Sequence, residues 1–231
     1  MLYEVIMYKA ILWDVDGTLL NFLKSESAAI KDCFREFGLP ECTDDIVKIY
    51  SAINEGYWKQ LERGEIEKKE LFTRRFRDFF SQCGVSCDEA QFNSLYQRTL
   101  GEHIFPNDDS LELVRSLKGR VRQYAVTNGS AVAQERKLRR SGLDQLLDGI
   151  FISEKVGAEK PSPVFFDRIF RTIPEGREEA IVVGDSLTSD IRGANNAGID
   201  CCWYDPDGLP APEELRIQHI ITNLNQIRDI I

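Results

Sequence analysis

Asp14 and Asp16 stand one residue apart at the end of an apolar run, in WDVDGTLL (13–20). Two carboxylates flanking one reacting group can divide the labour, one attacking and the other handing over a proton. In extended chain, residues i and i+2 point the same way, about 7 Å apart. An extended reading through Asp16 therefore lays both acids on one side, and Gly17 permits the sharp turn that must follow. Asp185 ends a second apolar run, AIVVG (180–184), and Asp190 follows it by five residues. Like charges at about 4 Å repel by about 4 kcal/mol at an effective dielectric near 20. Lys160 alone does not offset four acids gathered in one place. A hard divalent cation does, and an oxygen-only donor set drawn from Asp14, Asp16, Asp185 and Asp190 suits Mg²⁺.

Such a cation takes an anionic oxygen partner, and a phosphoryl group is the usual one. The backbone N–H groups of Asn128 and Gly129, at the opening of a helix, make an anion seat. The Thr127 hydroxyl adds a donor, and Lys160 adds positive charge opposite the metal. Asn128, Gly129, Thr127 and Lys160 are each weak signals alone. Together, in this order and each at a strand end or helix start, they predict a site for a small phosphorylated molecule.

Those residues need elements to converge them. YKAILW (8–13) reads as a buried strand. From Leu20 to Pro106 the pattern is helical throughout: Ile30, Cys33, Phe34 and Phe37 keep helical spacing up to Gly38, and a second helix follows Thr43 as N-cap. A third carries Phe72, Phe76, Phe79 and Phe80 and closes at Gly84, and Ser86 with Glu89 predicts a capping box for a fourth. After Pro106, strands and helices alternate. VRQYAVT ends at Thr127, a helix runs from about Ser130 to Ser141, and FIS (151–153) is a short strand. Ser162-Pro163 opens a helix, and AIVVG, DCCWY and HIIT (219–222) are further strands. This rhythm predicts an α/β fold with a parallel sheet covered on both faces. Residues 1–19 and 106–231 form the core, and 20–105 form an inserted all-helical domain. In such sheets ligands bind outside the carboxyl ends of the strands, which is where the polar groups fall.

A net charge of −9 disfavours binding polymeric nucleic acid, which needs a broad basic face. No apolar stretch is long enough to span a membrane. The N-terminus carries Glu4 and no basic leader region, and Met7 is an alternative start; a cytoplasmic protein is expected. With two His in the chain, a His-based triad or a His-rich zinc site is disfavoured. The six scattered Cys read as buried thiols rather than disulfides. ERKLRR (135–140) reads as a solvated helix face.

DVDGTL, VTNGS, EKPSPVFF and VGDSLTSD resemble, in order, the four motifs of the haloacid dehalogenase-like (HAD) phosphohydrolase superfamily. The resemblance implies a Rossmann-like core with a helical cap inserted after the first motif. It implies Asp14 as nucleophile, forming an aspartyl-phosphate, and Asp16 as the acid and base for leaving oxygen and water. It also implies Mg²⁺ held by the Asp14 carboxylate, the Asp16 main-chain carbonyl and Asp185, with Asp190 in support. Thr127 and Lys160 would orient phosphate and nucleophile. The name-giving dehalogenases lack the second acid, so Asp16 points to phosphate chemistry.

LLNF, INEGYWKQLERGEI, SDIRGANNAGID and CCWYDP are further similar to a bacterial branch of pyrimidine 5′-nucleotidases. That implies a nucleoside monophosphate as substrate. Phe22 and Trp58 could stack on its base or simply belong to the cap's core. Phosphoglycolate or sugar-phosphate hydrolysis, phosphomutase activity, and non-catalytic phosphate binding remain alternatives. The sequence does not set the oligomeric state.

Overall fold

The computed structural model describes residues 8–231; the readings on Glu4 and Met7 lie outside that range. In chain order the elements begin β1 (Ala10–Trp13), α1 (Phe22–Glu36), α2 (Asp44–Glu62), α3 (Lys68–Cys83), α4 (Glu89–Leu100) and α5 (Ser110–Leu117). They continue β2 (Arg122–Thr127), α6 (Ala131–Ser141), β3 (Gly149–Ile152), α7 (Ser153–Val156), α8 (Pro163–Ile169), β4 (Ala180–Gly184), α9 (Arg192–Ala197), β5 (Asp200–Tyr204) and β6 (His219–Ile221).

The described chain divides into two compact units. One takes the residues up to Asn21, Pro106–Ala131 and Ser141–Ile231; the other takes Phe22–Phe105 and Val132–Arg140.

The first unit is built on one six-stranded sheet in the order β3-β2-β1-β4-β5-β6, every pair parallel. β1, the earliest strand, lies at the centre between β2 and β4. β1 and β4 are buried along their whole length, as continuous apolar runs in a two-sided parallel sheet require. Leu12, Val126, Val182 and Trp203 pack with Phe165 and Phe166 of α8. α8 starts where the sequence predicts: Pro163 takes the first helical position and the Ser162 hydroxyl accepts from the Val164 N–H.

The second unit is helical. Thr43 caps α2 by accepting from the Ile46 N–H, with Asp44 and Asp45 in the first turn, where acids meet the positive end of the helix dipole. Gly84 ends α3 in the left-handed conformation, φ 66°, which glycine adopts at no steric cost. α4 is capped by Asp88, whose side chain accepts from the Gln91 N–H, not by the Ser86–Glu89 box. Asp88 is as good a cap as Ser86 and lies two residues nearer the first helical position, Glu89. Tyr50 stacks on Phe76 at 5.3 Å between ring centroids, and Phe34, Phe79 and Phe92 complete an aromatic core.

Two polar features of this unit stand out, and the first departs from the sequence reading. Lys137, in the basic run expected to be solvated, is fully buried with Ala133, Gln134 and Leu138. These four lie at helical spacing on one face of α6, while Arg139 and Arg140 point to solvent; the run is charged, but only part of it faces out. The second feature is a buried polar island. Glu26 accepts from the Ser51 hydroxyl and from Asn54 Nδ2 (2.8 Å), Asn54 Oδ1 accepts from Arg75 (2.8 Å), and Arg75 also donates to Asn93 (2.9 Å).

All six cysteines are free thiols. Among the described residues, no helix is long and apolar enough to cross a membrane.

Burial pushes the Glu26 carboxyl from its ordinary 4.5 up to about 7, against the pull of Ser51, Arg75, Asn54 and Lys137. The folded protein therefore holds a proton there that the unfolded chain has released. Glu26's contribution is full below about pH 4.5 and is lost as pH rises toward 7. Glu26→Gln should escape this loss. Between pH 4 and pH 8 its stability relative to wild type should improve, on the order of 3 kcal/mol by the linkage relation. Thermal melts of both proteins across that range check it; a pH-independent difference would show that Glu26 does not titrate there.

Candidate active site

The sheet order brings the polar strand ends together. β2, β1 and β4 are neighbours, and each delivers a polar segment at its carboxyl end: Thr127-Asn128-Gly129, Asp14, and Asp185 after Gly184. Asp14 continues the ladder, its N–H bonded to the Val183 carbonyl at 2.9 Å.

The strand then stops. The Leu20 N–H reaches the Val15 carbonyl and the Gly17 N–H reaches the Leu20 carbonyl, both at 2.8 Å, which pairs Asp16 with Leu20 in an isolated parallel bridge. Asp14 is buried at the strand end, and Asp16 is half-buried on the turn. Gly17 makes that turn possible with φ +100°, and a Cβ there would overlap the Asp185 carboxylate.

At the centre sits Lys160, 1% exposed. Its ammonium donates three bonds, to Asp14 Oδ1 (2.7 Å), Asp190 Oδ1 (2.6 Å) and the Val126 carbonyl (2.7 Å). All three protons are used, and each partner comes from a different segment. The Lys160 main chain is fixed by Asn128, which donates to its carbonyl (2.8 Å) and accepts from its N–H (2.9 Å). The Asn128 side chain thus clamps Lys160. The Gly129 N–H donates to Thr127 Oγ1 (3.1 Å), and α6 opens two residues later, at Ala131.

Asp14, Asp185 and Asp190 place one carboxylate oxygen each within 4.8 Å of the others. Asp190 is anchored by the Ser186 N–H (3.1 Å). Asp185 is anchored by Thr18, whose hydroxyl donates to Asp185 Oδ1 (2.9 Å) and accepts from the Asp185 N–H (3.0 Å). Thr18 was not picked out from the sequence, although a fully buried threonine within DVDGT is the available signal.

The buried Asp14 and Asp190 and the half-buried Asp185 thus face one buried ammonium. Burial raises the Asp14 pKa well above the carboxylate range, with Lys160 opposing and Asp190 and Asp185 adding to it. Burial also pushes Asp185 up to about 7, reinforced by the Asp190 charge. For Lys160, burial disfavours the charged form, but the carboxylates of Asp14 and Asp190 outweigh it and hold the ammonium firmly protonated.

With all groups ionised the centre carries two surplus negative charges. Asp14 Oδ2 is buried and has no hydrogen-bond partner. An orphaned carboxylate oxygen beside two further carboxylates, with only oxygen donors, fits a hard divalent cation.

Phe22 and Trp58 belong to the helical unit and keep company with its own residues. Lys137 Nζ lies 5.3 Å from the Phe22 ring, and Lys68 Nζ 5.9 Å from the Trp58 ring.

Chemistry through carboxylates at the ends of central parallel strands marks a class of α/β hydrolases. A family model for haloacid dehalogenase-like hydrolases matches residues 8–198, and the chain belongs to that family. It is 34% identical over 225 residues to the HAD-hydrolase YfnB of Bacillus subtilis, covering 97% of this chain and 95% of that one. A crystal structure of YfnB bound to magnesium superposes with a TM-score of 0.90, covering 97% and 98% of the two chains. The pyrimidine 5′-nucleotidase PynA of Streptococcus pneumoniae is 36% identical over 204 residues, covering 87% and 86%. A glyceraldehyde 3-phosphate phosphatase of Methanopyrus kandleri is 31% identical over 197 residues, covering 84% and 82%.

Removing the ammonium should leave Asp14 and Asp190 buried without a countercharge. Lys160→Met is expected to lose about 3–5 kcal/mol of stability, the cost of breaking a buried pair from one side. Urea unfolding at pH 7 in metal-free buffer measures it. A variant as stable as wild type would mean that the carboxylates are not ionised there.

Proposed function

We propose that this protein is a Mg²⁺-dependent phosphomonoesterase that hydrolyses nucleoside 5′-monophosphates, with a preference for pyrimidines, in the cytoplasm. The observation that carries the chemistry is the state of Asp14. One oxygen is held by Lys160 and the other is buried without a proton donor, so the carboxylate is oriented and only half used.

The Asp14 carboxylate attacks phosphorus, and the phosphorus–ester oxygen bond breaks as the aspartyl-phosphate forms. Asp16, on the adjoining turn, gives its proton to the leaving oxygen. It then takes a proton from the water that opens the acyl phosphate and returns Asp14. Lys160 keeps Asp14 in one rotamer and screens it from Asp190. Thr127 and the main-chain N–H groups of the Asn128-Gly129 loop orient the phosphate. Mg²⁺ would be held by Asp14, Asp185, Asp190 and the Asp16 carbonyl, and when bound it supplies the positive charge that lets these acids and a phosphate dianion share one buried space.

The pyrimidine nucleotide is supported by the similarity to PynA and by the INEGYWKQLERGEI and CCWYDP segments. Phe22 and Trp58 are the aromatic rings offered for base stacking. The similarity to the glyceraldehyde 3-phosphate phosphatase supports a second reading, a phosphatase of another small metabolite such as a sugar phosphate.

A panel of phosphate esters with Mg²⁺ separates the two. The ratio kcat/KM should be highest for dUMP, dTMP or UMP, and sugar phosphates ahead by about tenfold (about 1.4 kcal/mol) would overturn the nucleotidase reading. Asp14→Asn should lose roughly 10⁴-fold or more of the turnover, as removal of a covalent nucleophile does.

The cation is tested without turnover. MgCl₂ at a hundred times its Kd should stabilise the wild type by about 2.7 kcal/mol over EDTA, seen as a rise in Tm. Asp185→Asn should lose most of that rise while melting no lower than wild type in EDTA, because it removes one of the repelling charges.

A further inference from the structure

The catalytic turn is held from a distance by the segment FPNDDS (105–110), where the chain returns to the sheet unit. Leu20 and Pro106 form an antiparallel bridge, and the Asn107 N–H donates to the Leu19 carbonyl at 3.1 Å. Asn107 Nδ2 then donates twice, to the Gly17 carbonyl (3.0 Å) and to the Thr18 carbonyl (2.9 Å). Its Oδ1 accepts from Asn21 (3.2 Å), and the Ser110 hydroxyl donates to the Leu19 carbonyl (2.6 Å). One side chain thus closes over the carbonyls of both residues that follow Asp16.

The backbone beside Asn107 is unusual. Asp108 and Asp109 both occupy the left-handed region, φ 44° and 56°, the only described residues other than glycine that do. Aspartate tolerates that region better than most side chains, but two in succession persist only where the surroundings enforce them. Here they are enforced. The Asp108 carboxylate accepts from the Tyr204 hydroxyl (2.8 Å) and the Leu224 N–H (3.0 Å), and its carbonyl accepts from Asn225 (3.0 Å). The Ser110 N–H closes back on the Asn107 carbonyl at 2.7 Å. The double reversal fixes the direction in which Asn107 leaves the chain.

We infer that Asn107 is a positioning residue for the catalytic turn: by holding the Gly17 and Thr18 carbonyls it fixes Asp16 against the leaving oxygen and Thr18 against Asp185. The inference rests on the phosphomonoesterase reading and on Asp16 as proton donor.

That role has a signature which a general loss of structure lacks. When the phosphorus–oxygen bond breaks, an alkoxide leaving group needs the proton from Asp16, whereas p-nitrophenolate departs without one. A displaced Asp16 therefore slows the transfer from alkyl esters selectively. The ratio kcat/KM covers only the steps up to release of the leaving group, so it reads that transfer apart from the later hydrolysis, which both esters share. For Asn107→Ala with Mg²⁺, kcat/KM on the best nucleoside monophosphate should fall about tenfold or more, within the range that acid–base catalysis contributes. On p-nitrophenyl phosphate kcat/KM should fall less than about threefold.

Equal losses on the two esters, or no loss on either, would overturn the role of Asn107. A wild type that turns over neither ester would instead overturn the proposed function. If Asn107→Ala does not fold, Asn107→Asp keeps the shape and removes both donors, and the same selective loss is expected of it.

Discussion

The ammonium of Lys160 is the contact on which the rest of the site depends. Asp14 and Asp190 come from segments that cannot approach one another in a dry sheet edge without a cation between them. Lys160 makes that approach tolerable and leaves the carbonyl of Val126 as its third partner, which ties the charge centre to β2. Lysine suits this place because its three protons spread in three directions; a planar guanidinium would demand a flat set of acceptors. The compensation is partial by construction. One positive charge against three acids leaves room for a second cation, and a fully neutralised centre would have no such room.

Glycine completes that packing from below. The Asp190 carboxylate lies where a Cβ on Gly184 would be, and the Asp185 carboxylate lies where one on Gly17 would be. Two of the three acids of the cluster thus rest directly on peptide groups. Their lateral freedom is small, and the Ser186 N–H and the Thr18 hydroxyl hold them. Fixed dipoles and fixed charges in a poorly solvated place need little rearrangement when charge develops nearby, which is the condition under which they act most strongly.

What the sequence disclosed and what it hid divide along chain distance. The acids, the lysine and the parallel sheet were legible because each lies within a short run whose type and spacing carry the meaning: an apolar strand, then a polar residue, then a turn. The Ser162-Pro163 and Thr43 caps were legible for the same reason. Asn107 was not, since its partners are about ninety positions earlier in the chain and nothing local to FPNDDS points to Gly17. Lys137 was misread because a run of like charges hides the helical face that only Ala133, Gln134 and Leu138 reveal. Buried ions are rare enough that charge alone argued for solvent.

Under the proposed function, every group given to phosphate, nucleophile and cation lies in the sheet unit. Such groups would serve any phosphate monoester. Relatives named for a pyrimidine nucleotide and for glyceraldehyde 3-phosphate are similar to this chain at 36% and 31% identity, so under the proposed function discrimination between a planar base and a three-carbon chain would come from groups outside that centre. A substrate that met only the sheet unit would be bound through its phosphate alone, and the chemistry would then be blind to the leaving group except through the acidity of its oxygen.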